Sequence, residues 1–466
     1  MPRLDHALVR RLQGQVADHM SAARQARAAG GQAPLPPADE RQFAQSAAAA
    51  VVGRYMQSLL NSGQELPDAA YDEYLVNAVL AAMYGAGELQ GYLDDPAVEN
   101  ININGCDEVW VTYANGRKQR KDPVAATDED LVDIVQALGA YASHNARPFT
   151  PASPTLDVRL RDGSRLAAIM QASERPAVSI RRNRYPRMTL AQLVELDSLD
   201  EETAQFLRAA VQARCNIVVG GATDAGKTTV LRALIDAIDP AERLLVIELT
   251  FELGLRRQRD EDLAAGRAPR HEDVLELEEL RPDAEGAGGL SMDMLVRRSR
   301  RHDSSRTLVG EVMGPEVGSM LSAMSQGNDG SLSTVHARSA RNVFDRLATY
   351  AAQHENNLGF EVAHALIAQA LDLVVFVKKN PSMDARRCVT EILEVTGVTD
   401  GRVASSAIFP TSPVTGRAHR DRQVQIRRGK DLAGFGFDDS TGWGPLPATD
   451  DPNDRASRRG APRWRP

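Results

Sequence analysis

The feature that most constrains this chain is a glycine-rich segment near its middle, Gly221-Ala222-Thr223-Asp224-Ala225-Gly226-Lys227-Thr228. It fits the phosphate-loop pattern G-x-x-x-x-G-K-[ST], in which glycines permit a tight turn and successive backbone N–H groups point at phosphate oxygens. In this pattern the Lys227 side chain reaches the β- and γ-phosphates, and the Thr228 hydroxyl binds Mg²⁺. The segment therefore predicts a site for a nucleoside triphosphate, and we include the next residue, Thr229, among the predicted contacts.

The residues on either side predict the strand–loop–helix order that such a site needs. The segment Asn216-Ile217-Val218-Val219 is typical of a short buried strand that leads directly into the loop. After the loop, four apolar residues share one face of a predicted helix: Leu231, Leu234, Ile235 and Ile238. Pro240 is expected to end this helix. The helix N-terminus would add the positive end of its dipole to the phosphate site. This context favours a binding loop over a glycine-rich turn without a ligand.

Bulk properties limit the class of protein. A chain of 466 residues is expected to form two or three domains, and its 42% hydrophobic and 25% charged content is that of a soluble globular protein. We find no run long enough to span a membrane and no signal-peptide core, so we expect a cytoplasmic protein. The net charge of -8 argues against a nucleic-acid coat. The three cysteines lie far apart, which predicts neither a zinc site nor a disulfide framework.

Composition and periodicity divide the chain into four segments. We predict a helical N-terminal region over residues 1–90 with a linker near 31–39, followed by a smaller α+β domain over 91–186. Residues 187–410 are predicted to form an α/β domain, within which the charged stretch 256–273 has no periodicity and is expected to be a solvated loop. Residues 411–466 are rich in Pro, Gly, Arg and Asp, so we expect a disordered tail.

Polar residues follow several of the predicted strands of the α/β domain. Strands alternate with helices there, which predicts a parallel sheet covered on both faces. Three of these strands end in Glu248, Glu311 and His336. Ligands of such sheets bind at the carboxyl ends of the strands, so these side chains are candidates for catalysis. The alternatives are a carboxylate solvated at the sheet edge and a histidine with a structural role.

Several motifs together resemble one known family. They are Leu93-Asp94-Asp95-Pro96, Arg159 to Arg165, Val178 to Arg182, the phosphate loop, Ile247-Glu248-x-x-x-Glu252-Leu253, Val309-Gly310-Glu311-Val312 and Gly327-x-x-Gly330-Ser331-Leu332-Ser333-Thr334-Val335-His336-Ala337. From about Leu93 to Val398 the chain resembles the type II/type IV secretion ATPases, hexameric motors that power pilus assembly and macromolecular secretion. Within that family it is most similar to the branch that drives tight-adherence (Flp-type) pili. The resemblance implies a RecA-like phosphate-loop ATPase core with a parallel sheet, preceded by the smaller α+β domain.

The resemblance also assigns roles to the candidate residues. Glu252 would lie near the attacking water, with Glu248 as the alternative carboxylate. Glu311 would hold Mg²⁺ through water at the Walker B position, together with Thr228, and His336 would contact the γ-phosphate. Phosphoryl transfer depends mainly on positioning and on charge neutralisation, which agrees with such a set of groups.

The same resemblance implies roles for two arginines outside the ATPase core and implies several binding partners. Arg165 and Arg181 occupy positions similar to the arginine fingers that reach the nucleotide of a neighbouring subunit, although both lie in an arginine-rich region. The resemblance implies binding of ATP and Mg²⁺ by a homo-oligomeric, hexameric ring. The ring would act at the cytoplasmic, inner face of the plasma membrane, on an integral membrane platform protein. Nucleic acid is not expected among the partners.

The chain departs from the family pattern at several positions. Leu249 stands where the family has Asp, Met313 where Arg is common, and Asn328 in place of the first histidine of its box. Asp303-Ser304-Ser305-Arg306 replaces a typical Arg-Pro-Asp-Arg. These departures leave open a weakened ATP-binding scaffold or regulatory subunit. A DNA-transfer motor is a separate alternative, which the acidic net charge disfavours.

Overall fold

The computed structural model describes residues 6–30, 37–62, 71–84, 89–142, 149–160, 162–280, 282, 288–327, 329–353, 358–380 and 386–439. The chain divides into two compact units, Met1–Arg184 and Tyr185–Pro466. This division lies two residues before the domain boundary that we predicted between residues 186 and 187.

The first unit begins with a helical bundle, as predicted for this region. Its helices are α1 (His6–Ala29), α2 (Pro37–Asn61) and α3 (Tyr71–Tyr84). Leu12 and Val16 are one helical turn apart on α1 and are buried together with Val51 of α2 and Leu75 of α3. Helix α2 already begins at Pro37, since proline fits the first helical position, so the predicted linker near 31–39 was too long at this end. Residues 31–36 lie outside the described residues.

An antiparallel sheet forms the rest of the first unit. Its strand order is β3-β2-β1-β6-β5-β4, and the buried residues of neighbouring strands, such as Ile101, Val111 and Leu166, alternate with more exposed ones. The elements are α4 (Leu89–Asp94), β1 (Val98–Asn104), β2 (Val109–Tyr113), β3 (Lys118–Lys121), α5 (Asp128–Ala142), β4 (Thr155–Arg159), β5 (Arg165–Ile169) and β6 (Ala177–Arg181). The prediction of helices and antiparallel strands in this segment is confirmed.

The second unit is built on an eight-stranded sheet with the order β14-β13-β12-β7-β11-β10-β8-β9. Its elements are α6 (Leu190–Glu195), α7 (Glu201–Gln212), β7 (Ile217–Gly221), α8 (Lys227–Asp236), β8 (Leu244–Glu248), α9 (Leu255–Ala264), β9 (Val274–Glu278), α10 (Met292–Ser299), β10 (Arg306–Val312), α11 (Glu316–Met324), β11 (Leu332–His336), α12 (Asn342–Ala352), α13 (Phe360–Ala370), β12 (Leu373–Asn380), β13 (Arg386–Thr399), β14 (Arg402–Phe409) and α14 (Gly429–Ala433). The strands from β12 to β9 are parallel, and β13 and β14 add an antiparallel extension. The predicted α/β class is confirmed, with a mixed rather than purely parallel sheet.

Both faces of this sheet are buried, which explains the continuous apolar runs in its strands. Ile217 and Val219 of β7 pack into one core with Leu231 and Leu234 of α8. Val218 points to the other face and joins a second core. The parallel arrangement brings the carboxyl ends of β7, β8, β10 and β11 to one edge. None of the described helices is long and apolar enough to cross a membrane.

The charged stretch 256–273 is not the solvated loop that we expected. Most of α9 lies within it, and β9 begins directly after it. Asp262 is almost completely buried on α9 and pairs with both Arg187 and Arg267, at 2.8 Å in each case. These pairs satisfy a buried carboxylate that the local composition presents as a surface residue.

The expectation of a disordered tail from residue 411 was wrong for residues 411–439. Ile426, Leu432 and Phe437 join the core of the second unit. The Arg420 side chain is 1% exposed, and its guanidinium pairs with the Asp439 carboxylate at 2.6 Å. A few apolar residues and one buried ion pair therefore order a segment whose composition alone favours disorder. Residues 440–466 lie outside the described residues.

Candidate active site

The phosphate loop joins β7 to α8, the order that the sequence predicts. Gly226 at the end of the loop has φ +97°, a left-handed conformation that glycine adopts without a steric penalty. Asp224 is also left-handed, with φ +63°. Lys227, Thr228 and Thr229 form the first turn of α8, where backbone N–H groups lack partners within the helix. This arrangement is the one that binds anions at helix N-termini.

The structure places Lys227, His336 and Glu311 in one hydrogen-bonded chain. Lys227 Nζ lies 3.0 Å from His336 Nδ1, and His336 Nε2 lies 2.9 Å from Glu311 Oε1. Because an ammonium group can only donate, Nδ1 accepts from Lys227 and the hydrogen on Nε2 is donated to Glu311. Lys227 Nζ is also 3.6 Å from the same carboxylate oxygen. Three residues from separate elements therefore surround one point beside the phosphate loop.

Glu248 ends β8 and is buried, with 3% of its surface exposed. It packs against the backbone of Gly310, the residue before Glu311, where an added Cβ would lie 2.8 Å from Glu248 Cγ. Burial, with the charges of Glu276 and Glu252 nearby, raises the pKa of Glu248 to about 8. At neutral pH this carboxyl group is therefore mainly protonated.

Glu252 lies in the loop between β8 and α9, and three carboxylates hold this loop. The backbone N–H of Phe251 donates to Glu278 at 3.2 Å, that of Leu253 to Glu248 at 3.1 Å, and that of Leu255 to Glu276 at 2.6 Å. The acceptors stand on the adjacent ends of β8 and β9. These three hydrogen bonds hold residues 249–255, which we call the tethered loop.

Helix α8 fixes the same loop from the side of the phosphate loop. The Arg232 guanidinium donates to the main-chain oxygen of Glu252 at 2.9 Å. Glu252 itself is half-buried. Sequence reasoning selected Glu252 and Glu248 but missed Glu276, Glu278 and Arg232. The alternation of Glu276 and Glu278 along a short strand was the signal that could have drawn attention to one shared face.

Arg165 and Arg181 lie in the other unit, on the antiparallel sheet. They are directly opposite each other on β5 and β6, both exposed, and Arg159 of β4 is the next residue in the same row. Cross-strand partners point to the same face of a sheet, and like charges placed opposite each other are unfavourable.

The residues that differ from the family pattern lie in different environments. Leu249 begins the tethered loop and is half-buried, while the Met313 side chain is exposed, and its backbone N–H donates to Glu316 at 2.6 Å. Arg306 is buried and pairs with both carboxylate oxygens of Glu242, a structural role. Asn328 lies outside the described residues.

The donor set suits a nucleotide with Mg²⁺. Lys227 and the α8 N-terminus supply positive charge for phosphates, while the Thr228 hydroxyl and the Glu311 carboxylate are oxygen donors of the kind that Mg²⁺ prefers. Glu311 Oε1 lies 3.6 Å from the Lys227 ammonium group, so the carboxylate is adjacent to the residue that would bind the phosphates. The residues present therefore fit the metal. Fold and site together define a phosphate-loop ATPase.

Comparison with known proteins gives the family. Residues 89–408 match the family described as type II/IV secretion system protein, so the chain belongs to this family of secretion ATPases. A Mycobacterium tuberculosis protein named for conjugal transfer is 30% identical over 334 residues, which cover 70% of this chain and 88% of that protein. The type IV secretion system protein PtlH of Bordetella pertussis is 29% identical over 330 residues, which cover 65% of this chain and 92% of PtlH.

Two solved structures show the extent of the likeness. The VirB11 ATPase of Brucella suis, solved with sulphate, is 24% identical with a TM-score of 0.35, and the alignment covers 66% of this chain and 95% of VirB11. The ATPase DotB of Legionella pneumophila is 18% identical with a TM-score of 0.47, covering 66% of this chain and 79% of DotB.

Proposed function

We propose that this secretion ATPase is an ATP-hydrolysing motor that assembles as a homo-oligomeric, hexameric ring. The observation that carries the proposal is the hydrogen-bonded chain of Lys227, His336 and Glu311 beside the phosphate loop. In this proposal Lys227 binds the β- and γ-phosphates, and Glu311 and Thr228 hold Mg²⁺. His336 is proposed to contact the γ-phosphate.

Glu252 is the proposed carboxylate that orients the attacking water. Glu248 is the weaker candidate, because its raised pKa leaves it mainly protonated at neutral pH, and a general base must be ionised. The proposed role of Glu248 is instead to hold the tethered loop through the Leu253 N–H group. Each subunit would thus supply Lys227, Glu252, Glu311 and His336 to its own nucleotide.

Arg165 and Arg181 are the proposed arginine fingers. Both residues are exposed and are paired in register on neighbouring strands of the first unit, and arginine is suited to binding a phosphate group. In a ring, the finger would reach the nucleotide of the adjacent subunit and would link hydrolysis to domain motion.

For the machine that this motor drives, we propose a tight-adherence (Flp-type) pilus or a related secretion system. The ring would dock on an integral membrane platform protein at the cytoplasmic face of the membrane. DNA transfer is a second candidate, since a relative carries the name of a conjugal transfer protein. DNA binding that weakens steeply with salt would favour this alternative.

Steady-state ATPase measurements test the proposal, with the mass of the assembly determined in the presence and absence of nucleotide. We expect Mg²⁺-dependent turnover by an oligomer, and loss of most turnover or ATP affinity in Lys227→Ala, since the cation placed for the β/γ-phosphates is removed. Nucleotide binding without turnover in the wild-type oligomer would instead support the scaffold or regulatory alternative. Wild-type turnover in Lys227→Ala would refute the assigned site.

A further inference from the structure

The phosphate loop contains a carboxylate, Asp224, whose negative charge opposes the binding of a negatively charged ligand. Asp224 occupies one of the four unrestricted positions of the G-x-x-x-x-G-K-[ST] pattern. Its side chain is 32% exposed, so a bare carboxylate here would repel approaching phosphates. A compensating positive charge beside Asp224 would therefore favour nucleotide binding by the loop.

Two basic residues, Lys379 on β12 and Arg387 on β13, supply positive charge beside Asp224. The Arg387 guanidinium donates from Nη2 to both carboxylate oxygens of Asp224 at 2.9 Å, and from Nε to the Asp224 main-chain oxygen at 2.8 Å. Lys379 Nζ lies 3.4 Å from the same carboxylate. Lys379 and Arg387 are directly opposite each other on the two antiparallel strands. Like charges in this arrangement repel each other, and the Asp224 carboxylate between them offsets the repulsion.

The same arginine also limits the shape of the loop. The Arg387 side chain packs against Gly226, where an added Cβ would lie 3.2 Å from Arg387 Cδ. Gly226 has φ +97° and Asp224 φ +63°, so both left-handed residues of the loop are in contact with Arg387. Arg387 thus contacts the loop in three ways: it pairs with the Asp224 carboxylate, donates to the Asp224 main-chain oxygen and packs against Gly226.

We propose that Arg387, assisted by Lys379, is a positioning residue for nucleotide binding that neutralises Asp224 and so keeps the phosphate loop receptive to anions. The inference rests on the proposed nucleotide binding at this loop. According to this inference, nucleotide binding requires Arg387 only because Asp224 is present. Removing the arginine should leave the Asp224 carboxylate less well neutralised at the phosphate site, with Lys379 still 3.4 Å away, and removing the carboxylate should make the arginine dispensable.

The experiment is a double-mutant cycle read out by equilibrium binding of a fluorescent ADP analogue, with inorganic pyrophosphate as competitor. We expect Arg387→Ala to weaken ADP binding by about tenfold or more, since a charge-assisted pair of this kind contributes roughly one such factor. Asp224→Asn alone should not weaken binding. The double variant Arg387→Ala, Asp224→Asn should return to within about threefold of the wild type, because the repulsive carboxylate is gone.

A matched control stands one residue away on β13. Arg386 carries the same charge but pairs with Asp197 at 2.9 Å, so Arg386→Ala should leave ADP affinity unchanged. Equal weakening by Arg386→Ala would show a general charge effect and overturn the proposal. So would unchanged affinity in Arg387→Ala, or a double variant that binds as weakly as Arg387→Ala. A wild-type protein that does not bind ADP would instead refute nucleotide binding itself, and melting temperatures identify any variant that is merely unfolded.

Discussion

Glu248 at the end of β8 and Glu252 in the tethered loop differ in environment, and this difference is the basis of the separate roles that we propose for them. Glu248 is buried and accepts a hydrogen bond from the Leu253 N–H, whereas Glu252 is half-buried in the tethered loop. Burial raises the pKa of Glu248 to about 8. A carboxyl group that keeps its proton at neutral pH does not act as a general base there, which agrees with the structural role proposed for Glu248.

Kinetics of the two glutamine variants test this division. Glu252→Gln should bind ATP with unchanged affinity but turn over at least about a hundredfold more slowly, since the amide cannot accept a proton. Glu248→Gln should retain most of the turnover at pH 7, because the native carboxyl group is mainly neutral there. Single-turnover rates and ATP dissociation constants provide the measurement. A full rate in Glu252→Gln would make Glu248 the better candidate for the base.

The pKa of Glu248 also predicts how stability depends on pH. In the unfolded chain the group titrates near its ordinary value of 4.5, while in the folded protein it keeps its proton up to about pH 8. Between these values the folded state binds more protons than the unfolded state, so the free energy of unfolding falls as pH rises. At about 1.4 kcal/mol for each pKa unit, the total effect is on the order of a few kcal/mol.

Glu248→Gln should remove this dependence. The variant should gain stability relative to the wild type as pH rises from 5 to 8, measured by urea unfolding at several pH values. Glu279→Gln is a suitable control, because the Glu279 carboxylate accepts a hydrogen bond from the Met292 N–H and takes no part in the three hydrogen bonds of the tethered loop. A constant difference in stability between Glu248→Gln and the wild type across this range would contradict the raised pKa.

At the scale of secondary-structure elements, the tethered loop connects the ends of β8 and β9 to Glu252, the carboxylate that we propose for catalysis. Glu276→Ala or Glu278→Ala should lower kcat by about three- to tenfold, the value of one lost hydrogen bond, and should leave ATP affinity unchanged. Glutamine at either position retains an acceptor oxygen and should preserve turnover. Glu279→Ala, at the residue directly after β9, should have little effect on kcat. Equal loss of turnover in the alanine and glutamine variants would contradict the role of the hydrogen bonds.

These elements also show what the sequence could and could not predict. The strand–loop–helix around Lys227 was predictable because its glycines, apolar periodicity and helix start are all local signals. The ion pair between Asp224 and Arg387 joins residues that are 163 positions apart in the sequence, so no local sequence pattern predicts it. Helix α9 was missed for a related reason, since the buried Asp262 is satisfied by Arg187, 75 positions away.

The segment 411–439 gives a further prediction about elements. Its apolar residues Ile426, Leu432 and Phe437 belong to the core that also contains Phe206 and Phe409. Truncation after Pro410 should therefore cause insolubility or a fall in melting temperature of several degrees, whereas truncation after Asp439 keeps every described contact of the segment. Melting temperatures of the two truncated proteins provide the test. A stable protein ending at Pro410 would show that this packing contributes little to stability.

At the scale of the whole molecule, the candidate groups are divided between two units of the chain. Lys227, Glu252 and Glu311 belong to the second unit, whereas Arg165 and Arg181 belong to the first. If hydrolysis needs groups from both, and the arginines act on a neighbouring subunit, then turnover per subunit should rise with protein concentration through the range in which the ring assembles. This dependence separates a ring motor from a monomeric ATPase.

Mixed rings test the division between subunits directly. Arg165→Ala and Glu252→Gln should each impair turnover more than binding, yet mixing them should restore activity. About a quarter of the interfaces in an equal mixture would combine an intact Glu252 with an intact Arg165 from the neighbour. Mixing Glu252→Gln with Lys227→Ala is the matched control, because both groups serve the same subunit's nucleotide and no interface regains them together. Recovery only in the first mixture would support the arginine-finger mechanism. A fully active monomer, or no recovery in mixed rings that demonstrably form, would refute it.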